Sequence, residues 1–92
     1  MSTFCVARAA AALRAKALER FHLFTELASE CVPEEAAALR RIAWMDARDL
    51  RGLATMIEEG RIDAVEQRLM ELDTDPREEA FEALHSVGAL QP

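Results

Sequence analysis

The sequence has few residues that interrupt a helix, with three glycines and three prolines among 92 residues. A β architecture rich in tight turns depends on those residues, so their scarcity argues against one. Eighteen alanines, the strongest helix formers, favour helix instead. No run approaches the roughly 18 apolar residues of a membrane span. We therefore expect an all-α fold, a single helical domain over residues 1–92, and no membrane partner.

The sequence also lacks the common signatures of catalysis. It contains no glycine-rich phosphate loop, no Cys-x-x-Cys pair and no His-Glu-x-x-His motif. Cys5 and Cys31 would lie about 39 Å apart on one continuous helix, whereas a disulfide needs Cα atoms roughly 4.4–6.8 Å apart. Free thiols are typical of a reducing, cytoplasmic setting. These absences predict a cytoplasmic protein that is not an enzyme and has no cofactor.

Negative charge is concentrated in the C-terminal third of the chain, which accounts for the net charge of −6. Residues 1–57 carry eight basic and seven acidic side chains, and residues 58–92 carry three and ten. A negative chain repels nucleic acid and anionic lipid, so we expect no nucleic-acid partner. A local basic patch remains compatible with this balance.

The first helix is expected over about 3–30, because Ser2 and Thr3 are favourable N-caps and no Gly or Pro follows within that range. At 100° per residue, its apolar side chains fall within one arc that is expected to face the core. That arc contains Val6, Ala9, Ala10, Leu13, Ala17, Phe21, Phe24, Leu27, Ala28 and Cys31.

The second helix is expected over about 33–59, and it directly follows the first. Val32 precedes a proline and is therefore driven out of the α region, while Pro33 suits the first position of a helix. Gly60 is a suitable residue to end it. A connection this short predicts an antiparallel hairpin. The expected inward stripe of this helix is Leu39, Ile42, Ala43, Leu50, Leu53, Ala54, Met56 and Ile57.

Two short helices are expected after the hairpin, over about 61–73 and about 76–87. Asp75 as N-cap, Pro76 at the first helical position and a glutamate three residues after the cap predict the start of the last helix. The expected buried side chains are Ile62, Val65, Leu69 and Leu72 on the third helix and Ala80, Phe81, Leu84 and Val87 on the fourth.

Trp44 gives the second helix an unusual outer face. Four arginines share that face, namely Arg40, Arg41, Arg48 and Arg51. Tryptophan and arginine are enriched at binding hot spots, because each combines a large rigid contact area with polar reach. We interpret this face as a site for a protein partner. The alternative is that Trp44 packs beneath the third or fourth helix.

Asp46 falls on the opposite, apolar side of the same helix, where an unpaired carboxylate is costly. Three explanations compete. Asp46 can pair with Arg14 or Arg20 of the facing helix, it can cap a break in the second helix, or it can bridge to a second chain and fix the register of a dimer. Pairing or register is favoured over a break.

A metal site is the competing hypothesis. Glu19, His22 and Glu26 form one stripe on the first helix, and the Glu-x-x-His pair resembles part of the ligand set of ferritin-like di-iron proteins. The resemblance implies a metal-binding four-helix bundle. A second such pair is missing, and the stripe points away from the core face. We therefore assign no metal ligand.

These features predict a small helical interaction protein rather than an enzyme. Regulators and inhibitors, adaptors and assembly chaperones belong to this class. We expect a protein partner bound by the Trp44 face, and self-association as a homodimer.

Overall fold

The structure is a computed structural model that describes residues 5–88. Four helices account for most of this range and confirm the all-α class, with two long helices followed by two short ones. Their bounds are Val6–Ala28 for α1, Pro33–Glu58 for α2, Ile62–Glu71 for α3 and Thr74–Ser86 for α4. The predicted caps Ser2 and Thr3, and the predicted start of the first helix near residue 3, lie outside the described residues.

The long helices α1 and α2 form the antiparallel hairpin that the short connection predicts. Val32 is extended, with φ −64° and ψ 156°, and Pro33 begins α2. Glu34 and Glu35 then occupy the first turn, where the helix dipole favours carboxylates. Because of this geometry, the beginning of α1 lies beside the end of α2.

Gly60 ends α2 as predicted, through a backbone conformation that favours glycine. Its φ is +77°. The Gly60 N–H donates to the Ile57 carbonyl at 3.0 Å, and the Arg61 N–H donates to the Met56 carbonyl at 2.9 Å. This pair of bonds is a Schellman motif, which satisfies carbonyls that the helix end would otherwise leave free.

Two glycine-to-alanine substitutions are expected to change stability in opposite directions. A Cβ added at Gly60 or at Gly52 meets no atom of the described residues within 4 Å, so neither substitution causes a clash with them. Gly60→Ala should lower the free energy of unfolding by about 1 kcal/mol, because alanine disfavours the left-handed region. Gly52→Ala lies inside α2 and should raise it by up to about 1 kcal/mol. Urea unfolding measures both changes in the free energy of unfolding. If the two changes had the same sign, the assignment of Gly60 as the residue that ends α2 would be contradicted.

α4 begins earlier than the sequence predicted. The N-cap is Asp73 rather than Asp75, and the helix starts at Thr74 rather than at Pro76. The first intrahelical bond runs from the Arg77 N–H to the Asp73 carbonyl at 3.1 Å. Pro76 therefore lies among the first-turn residues that need no N–H partner, so a proline there does not prevent an earlier start.

The two short helices fold back over one half of the hairpin. α3 packs against α2 and α4, and α4 packs against both α1 and α2. The largest fully buried side chains, Leu13, Leu50, Leu53 and Ile57, lie in this half. They join Val65, Leu69, Leu72, Ala80 and Leu84 of the short helices in one apolar core. The core therefore lies where four helices meet.

The other half, which we call the hairpin tip (residues 22–45), buries only alanines within the described protein: Ala28, Ala36 and Ala43. Several side chains that the sequence assigned to the core are exposed, including Leu27 (43% exposed) and Ile42 in the tip and also Val6, Ile62 and Phe81. At 1.5 Å per residue, α2 is about 39 Å long, while α3 and α4 reach only about 15 and 20 Å. The short helices therefore leave most of the tip uncovered, although the start of α4 lies near Ile42 and Met45. The described residues extend 50 × 21 × 21 Å.

Between residues 5 and 88, no helix has the length and apolar content needed to cross a membrane.

Candidate functional site

Trp44 lies on the surface of the hairpin, outside the four-helix core. Its side chain is 54% exposed, so the alternative that it packs beneath α3 or α4 is wrong. Among residues 5–88, those that surround it in the groove belong to α1 and α2. Folding therefore leaves the largest side chain of the protein in contact with solvent.

A groove of about 440 Å³ runs between α1 and α2 at this position. Its floor contains Ala17 and Ala47, each 2% exposed. Leu18, Phe21 and Trp44 form its apolar walls. Arg14 and Arg51 complete its lining. We call this site the Trp44 groove.

The predicted arginines occupy different positions relative to this groove. Arg51 lines it, and the Arg48 guanidinium carbon lies 5.3 Å from the Trp44 ring centroid, in a cation–π contact. Arg40 and Arg41 are exposed one turn earlier on α2 and do not line the groove. Within residues 5–88, Arg40, Arg41 and Arg51 form no ion pair, whereas Arg48 lies 3.6 Å from Asp49. The surface around Trp44 is therefore basic.

The α1 side of the groove was missed by sequence reasoning. Leu18 was not assigned a role. Phe21 was assigned to the core face and does pack against the core, but its contribution to the groove was not predicted. The sequence does contain this information, in the number of residues that separate each position from the turn. In an antiparallel hairpin, residues of the two helices that are equally far from the turn lie beside each other. Trp44 lies eleven residues after Pro33, and Phe21 lies eleven residues before Val32.

Arg14 provides a second example of this register. It is 18 residues before Val32, just as Arg51 is 18 residues after Pro33. Its guanidinium pairs with the Glu58 carboxylate and donates to Thr55 Oγ1 at 3.3 Å. Of the two arginines considered as partners of Asp46, Arg14 is therefore not the one that pairs with it, and Arg14 lines the groove instead.

Asp46 is a buried polar residue, 7% exposed, and its partner is Arg20. The distance from Arg20 Nη2 to Asp46 Oδ2 is 3.8 Å, and Arg20 Nη1 lies 3.3 Å from Glu79 Oε1. One guanidinium thus connects α1 to both α2 and α4. α2 is continuous through Asp46, so the disfavoured alternative, a break in that helix, is excluded. The role of Asp46 in dimer register stays a prediction.

Burial raises the pKa of the Asp46 carboxyl above its usual value, and the Arg20 charge acts in the opposite direction. The nearby carboxylates of Asp49, Asp75 and Asp73 raise this pKa further. Asp46 Oδ2 and Arg20 Nε are both buried without a hydrogen bond to the described protein atoms. The pair is therefore held by charge and by its surroundings more than by ideal hydrogen bonding.

The acidic end of the chain also has a structural role on α1. Lys16 Nζ lies 3.0 Å from Glu82 Oε1 and 3.8 Å from Glu79 Oε2. The hydrogen bond to Glu82 raises the pKa of Lys16, while its burial acts against that rise. Together with Arg20, this lysine ties the acidic α4 to α1.

The stripe of the metal hypothesis lies on the solvent side of α1. Glu19, His22 and Glu26 are all exposed. Among the residues that the structure describes, no three His, Cys, Asp or Glu side chains are grouped so that they could hold a metal ion. Cys5 and Cys31 are free thiols. The described geometry therefore offers no support for a ferritin-like centre.

Comparisons of this chain with protein-family models, curated proteins and solved structures give no match. The fold and the Trp44 groove define a four-helix protein with an arginine-rimmed apolar groove on its long hairpin.

Proposed function

We propose that this protein is a small non-enzymatic helical interaction module of the regulator or inhibitor, adaptor or assembly-chaperone type, which binds a protein partner in the Trp44 groove. The observation that carries the proposal is the exposure of two large apolar side chains, Trp44 at 54% and Leu18 at 59%, within one formed groove. Large apolar contact area next to arginine is the usual composition of a binding hot spot.

The position of the groove on two long helices supports the same function. Its walls belong to regular helix on both sides, so partner binding does not require a loop to become ordered. Preformed surfaces lose less conformational entropy on association than flexible ones. The floor residues are alanines, whose side chains are much smaller than those of the walls. The difference in size creates a depression that a partner side chain can fill.

Self-association is a separate part of the proposal. A two-fold dimer through the Trp44 groove would bring the arginine rims of two copies together, which is unfavourable. We therefore propose that a homodimer would use exposed apolar residues of the hairpin tip other than Trp44, among them Leu23, Leu27, Val32 and Ile42. Light scattering on the purified chain measures its mass, and a monomer at all concentrations would remove the homodimer from the proposal.

A cytoplasmic location also remains a proposal, supported by the two free thiols.

Trp44→Ala is expected to weaken partner binding without unfolding the protein. Truncation of a central hot-spot tryptophan costs about 2 kcal/mol or more, which corresponds to roughly 30-fold in affinity. The folded chain should lose less than about 1 kcal/mol, since Trp44 lies outside the core. Affinity capture from the native cell, with the wild-type chain and this variant as baits, measures the binding.

Met70→Ala is the matched control, because Met70 is the most exposed large apolar side chain described and lies on α3 away from the groove. It should retain the partner. Loss of helicity in Trp44→Ala, together with unchanged partner capture, would contradict the proposed function.

A further inference from the structure

We infer that the Trp44 groove binds one face of an acidic amphipathic helix supplied by a different protein. This inference rests on the proposed function, since it names the class of partner for the same site.

The dimensions of the groove fit a helix. Its lining extends from Arg14 to Phe21 on α1 and from Trp44 to Arg51 on α2, which is eight residues on each helix. The seven steps between the first and last of these residues correspond to about 10 Å, or two helical turns. Amphipathic helices bind such grooves through apolar side chains at positions i, i+3 or i+4, and i+7, which cover the same length. An extended peptide covers the same roughly 10 Å with about four residues, of which only about two would face the groove.

The positive charge of the groove favours a negatively charged partner. Among the described residues that line it, none is acidic, and both charged residues are arginines. Arg14 has a carboxylate partner in Glu58, and Arg51 has none within the described residues. Arg48 adds a third guanidinium over the Trp44 ring. A helix with carboxylates beside its apolar stripe would pair with these groups, whereas a basic helix would be repelled.

A second copy of the chain fits this groove less well than another protein does. Two grooves facing each other would oppose like charges. The carboxylates Glu79 and Glu82 of α4 are already engaged by Lys16 and Arg20 of the same chain. A contact between the groove and α3 of another copy would be head-to-tail, and such a contact generates open chains unless its rotation closes a ring.

The test uses two synthetic helical peptides of about four turns with the same leucine stripe. One carries glutamates beside the stripe and the other carries lysines. Trp44 is the only tryptophan in the chain, so its fluorescence reports on the groove directly. The glutamate peptide is expected to shift the Trp44 emission to the blue and to bind at least tenfold more tightly than the lysine peptide. Higher salt should reduce this difference.

Charge reversal at the rim supplies the second arm of the experiment. Arg51→Glu should lower the affinity for the glutamate peptide at least tenfold and raise the affinity for the lysine peptide. Arg61→Glu is the matched control, since Arg61 is exposed in the connection between α2 and α3 and does not line the groove. That variant should leave both affinities within about twofold of the wild-type values.

The outcomes separate this inference from the proposed function. Equal binding of both peptides, with a Trp44 emission shift, overturns the acidic partner and leaves the groove as an interaction site. If neither peptide binds, the inference that the groove binds an amphipathic helix is overturned. Capture of a partner from the cell that depends on Trp44 would then still support the proposed interaction module. A dimer in light scattering that Arg51→Glu abolishes assigns the groove to a second copy and overturns the inference.

Discussion

Arg20→Leu is expected to lower the free energy of unfolding by about 3 kcal/mol or more, which is a large fraction of the roughly 5–14 kcal/mol available to a domain of this size. Arg20 is the partner of Asp46 on α2 and of Glu79 on α4, and its side chain is largely buried. Its removal leaves the Asp46 carboxylate buried without an opposite charge. An uncompensated buried charge costs more than the lost attraction alone.

Arg14→Leu is the control for this prediction, because it removes an arginine from the same helix and breaks an ion pair with Glu58. Both partners of that pair are close to half exposed. Solvent-exposed pairs contribute at most about 1 kcal/mol, so the free energy of unfolding should change little. Chemical denaturation measures both variants. Equal losses would mean that burial of the Arg20 pair does not determine its importance.

The double variant Arg20→Leu with Asp46→Leu distinguishes a lost charge pair from a lost side chain. Replacement of a whole buried pair by apolar residues is often neutral or stabilising. The double variant should therefore recover much of the stability that the single variant loses. Glu79 remains near Lys16, at 3.8 Å, so it keeps a cationic partner. A double variant as unstable as Arg20→Leu would contradict this account.

The pH dependence of stability gives an independent check on Asp46. Its pKa is raised in the folded protein, chiefly by burial, so ionisation of this carboxyl opposes folding. Its contribution is most favourable below its unfolded pKa and declines as the pH rises through the raised folded value. The wild-type protein should therefore gain stability relative to Asp46→Asn as the pH falls through that window. An opposite slope in paired denaturation curves would show that the Arg20 charge outweighs burial.

The features predicted correctly from the sequence are those that local chemistry determines. Pro33 and Gly60 mark the bounds of α2, because one residue fixes φ and the other favours positive φ. Asp46 was recognised as a buried polar group from its angle among leucines. Arg20 was one of its two proposed partners, and the hairpin register decides between them, since Arg20 is nearly as far from the turn as Asp46 is.

The features that were missed depend on two or more helices at once. Ile42 and Leu27 have the correct angle for a core position, but burial also requires a covering helix. α4 begins only at the level of Ile42 and leaves that side chain 44% exposed, and Leu27 lies closer to the turn. Similarly, Trp44 could be placed on an outer face from α2 alone. The walls contributed by Leu18 and Phe21 required the register between α1 and α2, which a single-helix angle does not provide.

Leu53→Ala is expected to lower the free energy of unfolding by about 3 kcal/mol, because Leu53 is fully buried where the four helices meet. Part of that loss is the transfer energy of the removed groups, and part is the cavity that rigid helices leave behind. For a domain of this length the change corresponds to a fall in Tm of roughly 15 °C. Thermal unfolding followed by circular dichroism measures it.

Leu27→Ala makes the same chemical change at a residue that has the angle of a core position but lies in the uncovered tip. Leu27 is 43% exposed, and Ala28 beside it is the buried residue of that turn. Since solvent already contacts Leu27 in the folded chain, its truncation leaves no closed cavity, and the loss should stay below about 1 kcal/mol. A loss at Leu27 as large as that at Leu53 would mean that the tip is covered in solution, for example by a second copy of the chain. The pair of substitutions therefore tests both where the core ends and whether the exposed tip is free.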